Sequence, residues 1–376
     1  MSTTLRKILI VDDSPVYRRF VVQTLEGLQG HTVVGQAADG VTALQAIATL
    51  RPDVVTLDVE MPGLNGLEVL KQIKKLAPHT EVIMLSSLTL QSASLTIQAI
   101  ESGAFDFVLK PQGMDLESNR RKLRDALFQR FQAISQNVKR HAFPAPSQPL
   151  ASRPGPSSSP ASLGGRANGH RDAPRREFGT PQVIVIGIST GGPQALRSVV
   201  SQLPRDFSVP IAIVQHMPPL FTRSLAEELD RISPLQVFEA ASGDSLQAGQ
   251  IAIAPGGFHL TLQRMAAGIT LRVNDNPPER SCRPSVNILF RSAAAQFGNR
   301  AIGVVMTGMG DDGTEGAREL RTQGARILAQ DAQSCVVYGM PCAVAEAGLV
   351  DEVVGLNDVA SKLTALTRRP ALVGRS

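Results

Sequence analysis

Short apolar runs that stop abruptly on chemically active side chains constrain this 376-residue chain most. Lys7-Ile-Leu-Ile-Val-Asp-Asp13 ends on two acids, Asp12 and Asp13, and Asp53-Val-Val-Thr-Leu-Asp58 ends on a third. Glu81-Val-Ile-Met-Leu-Ser86 ends on a hydroxyl and Phe107-Val-Leu-Lys110 on an ammonium. Runs this short, with helical stretches between them, read as strands of a helix-covered parallel sheet. In such a sheet the ligand crevice lies at the carboxyl ends of the strands. Asp12, Asp13, Asp58, Ser86 and Lys110 would meet there.

Three carboxylates at one point repel and raise each other's pKa. A hard divalent cation relieves this, and Mg2+ takes a few carboxylates while keeping several waters. The same metal neutralises the oxygens of an incoming phosphoryl group. Asp58 is then the expected nucleophile, forming an acyl phosphate. Lys110 would pair with the added charge and the Ser86 hydroxyl would donate to a phosphate oxygen.

The alternation runs over residues 5–140 and then breaks. His141 to Thr180 carries seven prolines among many serines and glycines. This composition cannot bury a core and reads as a disordered linker. Forty residues of it reach on the order of 35 Å. A second α/β pattern begins at Val183, with strand-like runs at Val183–Ile186, Val209–Val214, Ala301–Val305 and Arg326–Ala329. Helical periodicity lies in Gln194–Leu203 and Phe221–Arg231. The stretch from Gln236 to Val273 reads as short strands and turns. There Ile251–Ala254 and His259–Leu262 suggest an antiparallel insertion or a sheet edge. No internal repeat is visible.

Gly187-Ile-Ser-Thr-Gly-Gly192 follows the first of these strands and opens a helix. G-x-S-x-G in that setting is a nucleophile-elbow pattern, with Ser189 pushed above the sheet edge. A glycine-rich phosphate or dinucleotide loop is the rival reading. Against it, Val209–Val214 runs into Gln215-His216 rather than the acid that would bind a ribose. His216 would stand beside Ser189 as its base. Asp311 and Asp312 end the run Gly303–Thr307 in a glycine-rich turn, and either is placed to orient the histidine. The order Ser, His, Asp differs from that of α/β-hydrolases, so a separate fold is expected.

Both halves resemble known families. Ile10-Val-Asp-Asp-Ser14, Leu57-Asp-Val-Glu-Met-Pro-Gly63, Leu85-Ser-Ser87 and Gly103–Pro111 resemble the receiver domain of two-component response regulators. The resemblance implies a (βα)5 fold with Asp58 as phosphoacceptor. It puts Mg2+ on Asp13, Asp58 and the Glu60 carbonyl with Asp12 nearby, Phe107 in the place of the switch aromatic, and a cis Lys110–Pro111 bond. Gly187–Pro193, Gln215–Pro219, Arg283-Pro-Ser-Val286, Thr307–Gly313 and Ser334–Pro341 resemble the catalytic domain of the CheB family. Its members are response regulators that hydrolyse glutamate methyl esters on chemoreceptors, releasing methanol, and deamidate receptor glutamines. The resemblance implies a Ser189–His216–Asp312 triad, with Asp312 rather than Asp311 as the acid. It also implies oxyanion support near Thr190 and the Met309 backbone, and no cofactor for the esterase reaction.

The expected organisation is therefore an α/β protein with a receiver domain at 1–140, a linker at 141–180 and a mostly parallel, doubly wound methylesterase domain at 181–376. The expected partners are a sensor histidine kinase and methylated chemoreceptors, for a cytoplasmic monomer that does not insert into a membrane. Aromatic residues are 4% of the chain and Trp is absent, which argues against base-stacking nucleic-acid binding. The net charge of +5 fits a solvated arginine-rich helix or an acidic protein partner. Cys282, Cys335 and Cys342 show no metal spacing and suit a reducing compartment. The start, Met1-Ser-Thr-Thr-Leu-Arg6, has no signal-peptide character. The alternative class is a non-catalytic regulator whose second domain binds protein or nucleic acid, and esterase action on a small molecule is a third.

Overall fold

The computed structural model describes residues 5–142, 178–266 and 268–368. The expected linker, 141–180, lies almost wholly outside them. In the first unit β1 (Arg6–Val11), β2 (His31–Ala37), β3 (Val54–Asp58), β4 (Glu81–Ser86) and β5 (Asp106–Leu109) pair in the order β2-β1-β3-β4-β5. Every pairing is parallel. The crossovers are α1 (Pro15–Leu25), α2 (Gly40–Leu50), α3 (Gly66–Leu76) and α4 (Leu90–Glu101), with α5 (Leu116–Ala142) closing the unit. Short polar residues start these helices. The side chains of Ser14, Asp39, Asn65 and Thr89 each accept a first-turn amide, and Asn65 forms a capping box with Glu68. The central strand β3 is buried at every residue, as a strand covered on both faces must be.

The second unit is built on β6 (Val183–Ile188), followed by α6 (Gly192–Val200), β7 (Ile211–Gln215) and α7 (Phe221–Ile232). Then come β8 (Gln236–Glu239), β9 (Ser245–Leu246), β10 (Gln250–Ile253), β11 (His259–Met265) and β12 (Gly268–Asn274). The chain continues through α8 (Val286–Phe297), β13 (Ala301–Val305), α9 (Thr314–Thr322), β14 (Arg326–Gln330), α10 (Met340–Glu346), β15 (Glu352–Val354) and α11 (Val359–Thr367). Seven strands form one parallel sheet in the order β15-β14-β13-β6-β7-β10-β8. The expectation for Ile251–Ala254 is corrected in part. This run is β10, an inner parallel strand, because Ile251 and Ile253 are apolar enough to be buried between β7 and β8. The antiparallel element is the small sheet β11-β12-β9.

Side chains of β6 alternate between two cores. Val183 and Val185 pack towards α8 with Phe290, while Ile184, Ile186 and Ile188 pack towards α6 and α7. The second of these cores is continuous with apolar residues of the receiver, including Leu57, Ile97 and Phe107. The chain leaves β6 in one direction towards β7 and later returns to its other side at β13. The strand order therefore reverses around β6, and a doubly wound sheet opens its crevice at such a point.

Candidate active site and phosphoacceptor pocket

At the carboxyl edge of the first sheet, Asp12, Asp13 and Asp58 bring carboxylate oxygens within 4.8 Å of one another. Lys110 Nζ lies 2.7 Å from Oδ2 of both Asp12 and Asp58. Asp12 and Asp58 are buried, and Asp13 is exposed at the rim. Burial pushes the Asp58 carboxyl up to about 6, with the Lys110 ammonium pulling the other way. Burial lowers the Lys110 ammonium, but its two acids outweigh this and hold it above the ordinary lysine value. The Ser86 hydroxyl is buried, accepts from Thr96 Oγ1 at 2.8 Å and donates to the Ser87 carbonyl at 3.3 Å. Glu60 is exposed, and its amide lies 3.4 Å from Asp58 Oδ1. The expected cis Lys110–Pro111 bond is not found, since the cis bond among the described residues is Arg283–Pro284. The Lys110 amide instead donates to Ser86 O at 2.8 Å, which carries β5 pairing up to the proline and aims the lysine without a cis bond.

In the second sheet Ser189, His216 and Asp312 follow β6, β7 and β13, the three adjacent central strands. The register places Gly187 opposite both Val214 and Val305, so these ends are level. A Cβ at Gly187 would collide with Val286, and Gly191 has φ of +78°, so the glycines permit a tight turn against α8. The Ser189 amide donates to Thr307 O at 3.0 Å, and its carbonyl accepts from Gln215 Nε2 at 3.0 Å. His216 Nε2 lies 2.8 Å from Asp312 Oδ2. Asp312 is 3% exposed and also accepts from Ser285 Oγ at 3.0 Å and from the amides of Val286 and Asn287 at 2.7 and 3.1 Å. Burial raises the Asp312 carboxyl, but His216 and these amides outweigh it and leave the acid below its usual range. Burial lowers the His216 imidazole, yet Asp312 and Cys282 together hold it up at about 9. Asp311 lies outside this arrangement, exposed and ion-paired to Arg280.

With Nε2 turned to Asp312, the histidine has Nδ1 left for the serine. Among the described residues, Ser189 Oγ makes no hydrogen bond. The receiver lies directly over this edge. Thr190 Oγ1 donates to Asp106 Oδ2 at 3.1 Å, and Arg130 Nε holds the same oxygen at 3.2 Å. Phe107 stacks on Phe221, ring centroids 4.7 Å apart and planes 6° from parallel. Gln194 Nε2 donates to Ile100 O at 2.5 Å, and Arg197 pairs with Glu101 at 2.7 Å. A cleft of about 180 Å³ lies between Asp106, Phe107 and Arg130 of the receiver and Ser189, Thr190 and His216 opposite. Met309 packs with Val336 against the core around α5.

The roles of several residues of the site escape sequence reasoning, even where, as at Ser285 and Val286, they fall in a motif. Ser285, Val286 and Asn287 cradle Asp312, and Cys282 stands against His216, although all four precede the acid by more than twenty positions. Only the three-dimensional return of the 279–287 segment to the sheet edge brings them there. Asp106 offers no signal either, as one acid among many in the first half.

Residues 8–119 match the response regulator receiver domain, and residues 184–363 match the CheB methylesterase domain. A protein-glutamate methylesterase/protein-glutamine glutaminase of Desulfotalea psychrophila is 42% identical over 359 residues, covering 95% of this chain and 97% of that one. Its counterpart in Treponema pallidum is 40% identical over 387 residues, covering 95% and 96%. The crystal structure of the Thermotoga maritima CheB methylesterase catalytic domain is 40% identical, covers 50% of this chain and 98% of its own, and superposes with a TM-score of 0.49. Since these sequence matches run through both units in one polypeptide, the chain belongs to the CheB methylesterase family, with a response-regulator receiver joined to a methylesterase domain.

Proposed function

We propose that this protein is a phosphorylation-activated methylesterase and glutaminase acting on chemoreceptors, and that its structure is that of the restrained, unphosphorylated form. The observation that carries this is the His216–Asp312 pair beside Ser189, covered by the receiver's β5–α5 face. A parallel sheet bearing serine, histidine and aspartate at three adjacent strand ends suits hydrolysis better than it suits a nucleic-acid-binding output.

In the reaction, Ser189 Oγ attacks the glutamyl ester carbonyl while His216 Nδ1 takes its proton. Asp312 fixes the ring and stabilises the imidazolium. The oxyanion forms near Thr190 and the Met309 amide. Collapse expels methanol, protonated by His216, and leaves a seryl ester. Water, deprotonated by His216, then releases glutamate. A glutamine side chain follows the same path with ammonia as leaving group.

Restraint has a specific geometry. Asp106 occupies the Thr190 hydroxyl, and Phe107 lines the cleft over Ser189 and His216. Asp12, Asp13 and Asp58 suit a hard divalent cation, with the Glu60 carbonyl completing the set that the family implies. Bound Mg2+ would neutralise the phosphoryl oxygens during transfer from a histidine kinase. Phosphorylated Asp58 would draw Ser86 and Lys110 inward and let Phe107 follow, biasing the two units apart. The test is methanol release from membranes carrying radiolabelled methylated receptors, with and without acetyl phosphate. Release that rises with acetyl phosphate and vanishes in Ser189→Ala is expected, whereas release unchanged in Ser189→Ala would remove the serine mechanism.

A further inference from the structure

At the methylesterase edge a cysteine that the proposed chemistry does not use stands against the His216–Asp312 pair. One imidazole nitrogen of His216, Cys282 Sγ and one carboxylate oxygen of Asp312 all lie within 4.8 Å of one another. We propose that these three side chains form an inhibitory zinc site, in which the metal replaces the proton between His216 and Asp312. The inhibitory consequence rests on the esterase reading above, but the coordination does not.

The donor types select the metal. Thiolate, imidazole and carboxylate together suit zinc, whereas Mg2+ prefers an all-oxygen set such as the receiver's acids. Ligands of a tetrahedral zinc stand about 3.3–3.8 Å apart, given bond lengths of about 2.0–2.3 Å. Small side-chain movements therefore close this set. The ligands come from three segments, the end of β7, the turn before α8 and the loop after β13, so they converge by tertiary structure. The turn is already formed. Arg280 and Ser281 hold φ of +49° and +62°, and Cys282 and Glu279 exchange backbone hydrogen bonds of 2.8 and 3.1 Å. Left-handed residues at both central positions are the signature of a tight hairpin turn. The carboxylate is oriented as well, since Ser285, Val286 and Asn287 all donate to it. Such supporting bonds are what hold a metal-ligating acid in place. His216 and Cys282 are half-buried, which leaves room for a water as fourth ligand.

From the imidazolium and thiol forms, binding of hydrated zinc makes N–Zn, S–Zn and O–Zn bonds and releases two protons, one from Nε2 and one from Sγ. Nδ1 keeps its proton. The ring can then no longer accept one from Ser189, and turnover stops until the metal leaves.

The test uses the full-length protein with excess Mg2+ to hold the receiver acids. Cobalt(II) substitutes for zinc as the spectroscopic probe. Wild type should give a thiolate-to-cobalt charge-transfer band that zinc displaces, and Cys282→Ser should not. Methanol release is then measured in buffered zinc, each protein normalised to its own metal-free rate. A fall of at least tenfold in wild type is expected, reversed by a zinc-selective chelator, with Cys282→Ser keeping at least half its rate. A band that persists in Cys282→Ser would place the metal on Cys335 or Cys342 and overturn the proposal, as would equal inhibition of both proteins. Zinc bound through Cys282 with no loss of rate would overturn its inhibitory role. A Cys282-dependent band in a protein that releases no methanol under any condition would uphold the site and sink the esterase reading.

Discussion

His216 meets opposing demands. As a base it must be neutral, yet Asp312 and Cys282 favour its charged form and hold it at about 9. Protonation below that value removes the base, so the rate of the unphosphorylated enzyme should rise with pH through about 9. Cys282→Ala removes one of the two supports and should move this limb to lower pH, read from the pH profile of kcat/KM. At the neighbouring pair of acids, Asp312→Asn should cut turnover by about 10⁴-fold, by analogy with other serine hydrolases. Asp311→Asn touches only an exposed ion pair, worth about 0–1 kcal/mol, and should change turnover less than about tenfold. If Asp311→Asn proves the more damaging, the orienting acid is misassigned. Ser189→Ala and His216→Ala should each cost about 10⁴-fold or more.

At the scale of elements, the contact between units is made by α4, β5 and α5 on α6, α7 and the loops after β6, β13 and β14. Its charged member is Arg197 of α6, which meets Glu101 of α4 at 2.7 Å and Glu228 of α7 at 3.3 Å. The arginine side chain is 42% exposed, so each pair is screened and contributes little, up to about 1 kcal/mol. Arg197→Glu places like charges together and should raise unphosphorylated methanol release up to roughly fivefold, the factor that about 1 kcal/mol implies. Pairing it with Glu101→Arg should bring the rate back towards wild type. A double variant as active as the single one would show that these residues do not hold the receiver down. The apolar part, Phe107 on Phe221, lies in the core that runs through both units, so it links the strand bearing Lys110 to the methylesterase helices.

For the whole molecule, restraint by the receiver as proposed implies that severing the chain between Pro144 and Arg171 should free a fragment, 181–376, at least as active as the intact unphosphorylated protein. A slower fragment would mean that the receiver assists catalysis rather than restrains it. Asp58→Asn should abolish labelling by a phosphodonor, and EDTA should suppress it in wild type. Persistent labelling of that variant would move the phosphosite elsewhere. No described helix is long and apolar enough to cross a membrane.

Sequence alone determined what local pattern can determine. Apolar runs of strand length force buried parallel strands, and a strand's direction decides which end faces the crevice, so Asp12, Asp58, Lys110, Ser189, His216 and Asp312 could be assigned to sheet edges from their position in the runs. Motif glycines mark turns because a Cβ at Gly187 would collide with Val286 and Gly191 holds a φ of +78° that other residues rarely adopt. Between Asp311 and Asp312 only the family resemblance offered a choice, and the fold separates them, one turned out to Arg280 and the other in to His216. The parallel placement of β10 was illegible because a four-residue apolar run carries no information about its partner's direction. The tertiary structure alone decided the rest. Cys282, the cradle of Asp312 and the grip of Asp106 on Thr190 join residues 25 to 84 positions apart. Chain closure over such distances is set by packing of the two cores, a property of the whole fold that no window of sequence contains.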